Sequence, residues 1–333
     1  MERFFLGGNT AYGFKGFYED EIAGADNVIL LKGAPGTGKS TLIKSVGAEC
    51  ARRGLDYEMW YCSGDPESAD GIFVRELSAA VADATSPHPC ETMLPVVRER
   101  IADMAKALRR EKLLPFKGSI EKLINDKKRS YSRAYDILKC ASGHFRNAER
   151  DYFSHADVVR IRRLAAAFAL REGGGAGERA RCRNVFSRAI TPCGTKAFFE
   201  HLAGRRIWLI EGGEEGALLF AGEAARLIPS AVAVHHPLLP ERVECVLWEG
   251  CALTTDAGPF RAAAERIELD DGRAVLAAGR ERTLCRECVK EAEKVLAAAR
   301  EAHIALEKIY AEGMDYSVTD AIAEEVKRAV FGG

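Results

Sequence analysis

The stretch Val28-Ile29-Leu30-Leu31-Lys32-Gly33-Ala34-Pro35-Gly36-Thr37-Gly38-Lys39-Ser40-Thr41 decides how the rest of the chain is read. Its four apolar residues predict a buried strand. Lys39 to Arg53 predicts a helix with Leu42, Ile43, Val46 and Cys50 on one face. Between them, Gly33-x-x-x-x-Gly38-Lys39-Ser40 fits the Walker A pattern at every fixed position. Each residue type has a physical reason. Glycines let backbone N–H groups turn inward around a phosphate chain, and the helix N-terminus behind them adds partial positive charge. Lys39 can reach the β- and γ-phosphates as a point charge, the Ser40 hydroxyl is a ligand for Mg²⁺, and Thr41 is placed for an α-phosphate oxygen. The expected nucleotide-binding residues are therefore Gly33, Ala34, Pro35, Gly36, Thr37, Gly38, Lys39, Ser40 and Thr41, with ATP and Mg²⁺ as the expected ligands.

The chain has 333 residues, enough for two domains of ordinary size. Lys and Arg number 48 and Asp and Glu 49, a balance that argues against a dedicated polyanion binder. The opening Met1 to Gly8 is broken by glycine too soon to read as a signal peptide. No apolar run approaches the ~20 residues that a membrane span needs. The ten cysteines are scattered among apolar residues and read as reduced packing residues, so the expected location is the cytoplasm.

Phe14 to Ile22 has helical spacing, and Gly54 stands where a helix C-terminal glycine would. Tyr57 to Cys62 predicts a second strand, followed by the polar turn Ser63-Gly64-Asp65-Pro66-Glu67-Ser68-Ala69-Asp70-Gly71. Ligands of open parallel sheets bind outside the carboxyl ends of the strands, so this turn faces a phosphate or a second substrate. Asp65 or Asp70 is a candidate general base or holder of a metal-bound water, against the alternative of a solvated turn. Leu77 to Asp83 ends four small apolar residues on an acid, the shape of a Walker B strand, which makes Asp83 a candidate metal ligand beside Ser40. Ala84 follows, so the carboxylate that commonly polarises water at the next position is missing. Lys39, Asp83 and Asp65 are the candidate catalytic residues; His88 lies nearby and reads as structural.

Val96 to Leu108, Ile120 to Phe145 and Asn147 to Leu170 show helical patterns, with basic clusters at Lys127-Lys128-Arg129 and Arg160-Ile161-Arg162-Arg163. After the glycine-rich Glu172 to Glu178, the sequence repeats itself. Phe186 to Phe199 tracks Phe5 to Tyr18, Ile207 to Gly213 stands where Val28 to Ala34 stood, and Val246 to Ala257 tracks Ile72 to Ala84 with Asp256 in the place of Asp83. Leu296, Ala299, Glu307, Tyr310 and Asp315 align at constant offset with Leu138, Ala141, Glu149, Tyr152 and Asp157. The second loop, Gly212-Gly213-Glu214-Glu215, lacks the lysine and hydroxyl and puts acids where phosphates would sit, so it is expected not to bind a triphosphate. Cys285-Arg286-Glu287-Cys288 is a lone pair without zinc spacing and reads as packing.

The organisation expected is a nucleotide-binding α/β unit over 1–92, a helical hairpin over 93–171, a linker over 172–180, a degenerate α/β repeat over 181–270 and a helical repeat over 271–333. With the motifs laid out, the chain resembles an uncharacterised bacterial family of tandem P-loop ATP-binding proteins. The residues behind the resemblance are Phe5 to Phe14, Gly33 to Thr41, Tyr61 to Gly71 and Asp83 to His88. The resemblance implies a P-loop NTPase fold with mainly parallel sheets, ATP binding and an intact loop in each half; this chain departs in its second. Three functions stay open: an ATPase whose nucleotide state repositions the halves or the hairpins, a small-molecule kinase using the Asp65–Asp70 loop, and a nucleotide-responsive binding module that touches nucleic acid through the basic hairpin. No guanine-specific motif is found, and ATP against GTP is left open.

Overall fold

Strand Asn27–Lys32 buries Val28 and Leu30 on one side and Ile29 and Leu31 on the other. This two-sided burial is what a continuous apolar run in a mainly parallel sheet produces. The strand belongs to a six-stranded sheet in the order Glu2–Phe4, Tyr57–Tyr61, Ala69–Val74, Ala79–Asp83, Asn27–Lys32, Glu99–Asp103. Only Ala69–Val74 runs against its neighbours. A second sheet repeats that order with Arg183–Val185, Val232–His235, Val243–Trp248, Cys251–Thr254, Arg206–Glu211 and Glu265–Glu268. Again the third strand alone is reversed. The computed structural model describes residues 1–86, 92–173 and 183–332, so His88 and the linker from Gly174 lie outside the described residues.

The two sheets face one another across a shared core. Leu6, Leu30, Trp60 and Ala82 of the first half meet Leu209, Val234, Leu247 and Ala252 of the second. The opposite faces are covered by helices, which gives four layers: helix, sheet, sheet, helix. Lys39–Arg53 covers the first sheet through Leu42, Ile43 and Val46, and Glu214–Leu227 covers the second through Ala217, Phe220 and Ala221.

The long helical segments are not hairpins closed on their own units. Helix Lys117–Phe153 leaves the first half and runs antiparallel along Gly272–Glu312, with Lys127 beside His303, His144 beside Glu281 and Tyr152 beside Asp271. The seam is lined by Ala134, Leu138, Ala141 and Phe145 against Cys285, Ala292 and Leu296. Small residues there let the backbones approach closely. Cys285 is a packing residue in this seam, and burial pushes its thiol up to about 12. Each long helix then delivers a shorter one to the other half. Val158–Glu172 packs Ile161, Ala165 and Phe168 on the second sheet, and Tyr316–Phe331 packs Val326 and Val330 on the first. Asp157 and Asp315 begin these helices in the same way, their carboxylates accepting the N–H of Arg160 and Ser317.

Two expected helices are corrected. Within Phe14 to Ile22 only Tyr18–Ile22 is helical; Gly13–Gly16 pairs with Gly7–Thr10 as a hairpin, whose turn Gly13 makes with a φ of +90°. Within Val96 to Leu108, Glu99–Asp103 is an edge strand beside Val28–Lys32, so the first α/β unit runs past residue 92. Val96, Val97 and Ile101, which gave that stretch its apolar spacing, are exposed, whereas the Glu99 carboxylate is buried and accepts hydrogen bonds from Arg98 and the Leu94 N–H. Among the described residues, no helix is long and apolar enough to cross a membrane.

The exchange of helices makes a local prediction. Phe168 lies edge-on to Trp208 and Trp248 at 5.3 and 6.1 Å between ring centroids. Phe168→Ala should cost about 3–5 kcal/mol of stability. Hydrogen exchange should show the loss first in strand Arg206–Glu211, although Phe168 belongs by sequence to the first half. Faster exchange confined to Asn27–Lys32 would contradict the exchange of helices.

A second prediction concerns His201, which is buried against Phe4 with its Nδ1 unpartnered among the described residues. Burial pushes its pKa from 6.5 down to about 4. The folded value lies below the unfolded one, so this contribution to stability is complete above about 6.5 and is lost as pH falls toward 4. In urea titrations the wild type should lose stability across that window more steeply than His201→Gln. Equal slopes would refute it.

Candidate functional site

The loop Gly33 to Gly38 joins the carboxyl end of strand Asn27–Lys32 to the first turn of helix Lys39–Arg53. Gly36 and Gly38 have φ of +75° and +83°, the left-handed region that turns successive backbone N–H groups to one side. A Cβ at Gly33 would lie 2.7 Å from Thr37 Oγ1 and 3.0 Å from Met104 Cβ, so the loop closes with no room for a side chain there. Thr37 Oγ1 donates to the Ala34 carbonyl at 2.8 Å. Lys39 folds over the loop, and its Nζ donates to the carbonyls of Gly33 at 3.1 Å and Ala34 at 2.9 Å.

Asp83 ends the strand paired directly with Asn27–Lys32, opposite Leu31. Its Oδ2 is 3.6 Å from Lys39 Nζ. Its Oδ1 accepts the Thr85 N–H at 2.8 Å, while Thr85 Oγ1 donates to the Gly33 carbonyl at 3.1 Å. Ser40 Oγ accepts the Ala69 N–H at 2.9 Å, which ties the helix start to the turn after Tyr61. Lys39 and Asp83 are thus brought together, with Ser40 next to Lys39 at the helix start, Ala34 and Pro35 in the loop and Thr41 exposed on the first helical turn. Among the described residues, no cluster of three or more His, Cys, Asp or Glu side chains is placed to hold a metal. A divalent ion here would rest on Ser40 and Asp83, with the remaining oxygens from phosphate and water, as Mg²⁺ commonly does.

The acids of the polar turn are differently engaged. Asp65 Oδ1 accepts from Arg300 Nε at 3.0 Å. Asp70 is buried and accepts from the Tyr18 hydroxyl at 3.1 Å. Asp103, whose strand carries the apolar spacing of a helix, stands opposite Lys32 on the other flank and caps Ala105 N–H at 3.0 Å.

Residues distant in sequence cover the loop. A Cβ on Gly36 would come within 2.7 Å of the Glu307 carbonyl, and one on Gly38 within 3.3 Å of Thr319. The end of helix Gly272–Glu312 and the start of Tyr316–Phe331 therefore lie directly on the glycines. His303 Nε2 is 3.6 Å from Glu307 Oε1 one turn away, and its Nδ1 is 3.3 Å from Lys127 Nζ. Lys127 is turned into this interface, while Lys128 and Arg129 remain exposed. The internal repeat marked Glu307 without placing it here, and no sequence signal marked His303, Arg300 or Thr319, because the exchange of helices that brings them here is a tertiary event.

The corresponding place in the second half is built from other parts. Only Gly212 and Gly213 separate strand Arg206–Glu211 from helix Glu214–Leu227, so the loop is shorter as well as differently charged. The Asp271 carboxylate accepts the Gly213 N–H at 2.8 Å and also the Tyr152 hydroxyl. Glu215 is buried and takes Arg282 Nε at 2.7 Å, and Glu214 lies 3.3 Å from His236 Nε2. The protein's own carboxylate thus meets the helix-start N–H. Asp256, expected in the place of Asp83, accepts the Gly258 N–H at 3.0 Å and stands one residue past the register position, since Arg206 pairs with Cys251 where Asn27 pairs with Ala79.

The chain matches no protein-family model, no curated protein and no solved structure.

Gly36 tests the covering contact. Gly36→Ala meets both a left-handed backbone and the Glu307 carbonyl, and should destabilise the fold by about 1–3 kcal/mol. Gly54→Ala has a similar φ of +71° but nothing within 4 Å, so it carries the backbone cost alone. Equal losses in chemical denaturation would show that Glu307 does not press on the loop.

Proposed function

We propose that the chain is a P-loop ATPase that binds Mg·ATP in its first half alone and couples hydrolysis to movement of the two long helices. The observation behind this reading is the pairing of Lys39, at the helix start next to Ser40, with Asp83 at the carboxyl end of the strand beside Asn27–Lys32, around a loop whose glycines have the backbone conformation an amide cradle needs. The loop amides of Gly33 to Gly38 would hold the phosphates and Lys39 their terminal oxygens, its present carbonyl partners giving way to stronger anionic ones. Ser40 and Asp83 would hold Mg²⁺, which supplies charge neutralisation between the β- and γ-phosphates. Ala84 offers no carboxylate to orient water, so slow intrinsic turnover is expected.

A kinase reading is supported less. It needs a free base in the Asp65–Asp70 turn, and Asp65 is paired with Arg300 while Asp70 is buried on Tyr18. A nucleic-acid reading through Lys127, Lys128 and Arg129 loses Lys127 to the helix interface.

Phosphate release from Mg·ATP, measured without any added acceptor, tests the proposal. The wild type should release phosphate, and Lys39→Ala should reduce the rate at least about 100-fold. Asp83→Asn should raise the Mg²⁺ concentration needed for half-maximal rate. Undiminished release by Lys39→Ala would overturn the reading, as would release that depends on an acceptor.

A further inference from the structure

Lys127 has a position that its neighbours in sequence do not share. It projects from helix Lys117–Phe153 into the interface over the glycine loop, with Nζ 3.3 Å from His303 Nδ1. His303 in turn reaches Glu307, whose backbone lies on Gly36, so contacts run unbroken from Lys127 to the loop. Among the described residues, Lys127 makes no ion pair with a carboxylate. A half-buried ammonium ordinarily has an anionic partner, because burial disfavours its charge. Burial here pushes the Lys127 pKa down, and the charge of Lys39 pushes it the same way against the opposing pull of Cys62 and Glu307. Lys127 Nζ thus meets a histidine ring nitrogen, while Lys39 Nζ meets the loop carbonyls and Asp83.

The internal repeat supplies an independent comparison. At the constant offset that aligns Leu138 with Leu296 and Tyr152 with Tyr310, Lys127 corresponds to Cys285, and His303 to Phe145. Cys285 and Phe145 are both buried in the helix seam near the degenerate loop, where Glu214 stands in the place of Lys39. The half that has lost the loop lysine therefore also lacks both the helix lysine and the histidine, and fills their places with packing residues.

We propose that Lys127 is a phosphate-contacting residue, its ammonium received by the terminal phosphate of a bound nucleoside triphosphate. The contact would draw helices Lys117–Phe153 and Gly272–Glu312 onto the loop only while that phosphate is present. This rests on the reading of Gly33 to Thr41 as a phosphate loop, and adds to it the element that distinguishes triphosphate from diphosphate. His303 is a positioning residue that holds Lys127 through its ring nitrogen.

The test compares the affinities of Mg·ATP and Mg·ADP by calorimetry for the full chain and for Lys127→Met, which keeps the aliphatic stem, and Lys127→Arg, which keeps the charge. Loss of one charged hydrogen bond should weaken ATP by about 10- to 100-fold in Lys127→Met, leave ADP within about threefold, and be partly restored in Lys127→Arg. If Lys127→Met does not fold, Lys127→Gln takes its place in the same comparison. An ATP affinity unchanged by removal of the ammonium overturns the inference while leaving the loop intact as a binding site. Equal weakening of ATP and ADP also overturns it, by assigning Lys127 a structural role. A wild type that binds neither nucleotide fails at the loop itself and takes this inference with it.

Discussion

The antiparallel seam between helices Lys117–Phe153 and Gly272–Glu312 is the constraint on which the rest of the molecule depends. Each sheet's outer face packs against its own helix and against one delivered from the other half. The first receives Val326 and Val330 from the C-terminal helix, and the second receives Ile161 and Phe168 from the helix after Phe153. Both deliveries require the long helices to pass one another in register, with Leu138, Ala141 and Phe145 against Cys285, Ala292 and Leu296. The seam therefore fixes two distant packings at once. It also places His303, Glu307 and Lys127 over a loop that is far from all of them in sequence.

The two halves share a backbone plan and differ in charge at the point where strand passes into helix. In the first half Gly36 and Gly38 take left-handed backbone conformations, and Lys39 lies over the loop carbonyls of Gly33 and Ala34 beside Asp83. In the second, the helix starts two residues after its strand, and the Asp271 carboxylate takes the Gly213 N–H. An exposed helix N-terminus favours a negative group. One half keeps that place for a ligand under the proposed reading, and the other satisfies it with its own side chain. Arg282 and His236 answer the acids Glu215 and Glu214, so the second loop is a finished piece of structure.

Much of this was legible in the chain. The apolar run before Gly33, the amphipathic pattern after it and the repetition of the strand segments in the second half all follow from periodicity and spacing, because burial on a sheet face leaves a regular mark. Asp83 was legible for the same reason: its strand is small and apolar to the last residue. Glu99–Asp103 was not, because its exposed Ile101 and the exposed Val96 and Val97 before it imitate a helical stripe at a sheet edge. Gly13–Gly16 was missed because its pairing is with Gly7–Thr10, and glycine-rich strands leave little pattern. The exchange of helices could not be read at all. An amphipathic helix states that one face is buried, and says nothing of which sheet buries it.

The central claim is that one triphosphate is held per chain, in the first half. Calorimetric titration of the wild type with Mg²⁺ and a non-hydrolysable ATP analogue measures this directly through its stoichiometry. The account predicts a single equivalent per chain, abolished by Lys39→Ala and untouched by Asp271→Asn. Two equivalents, or one that survives Lys39→Ala, would contradict it.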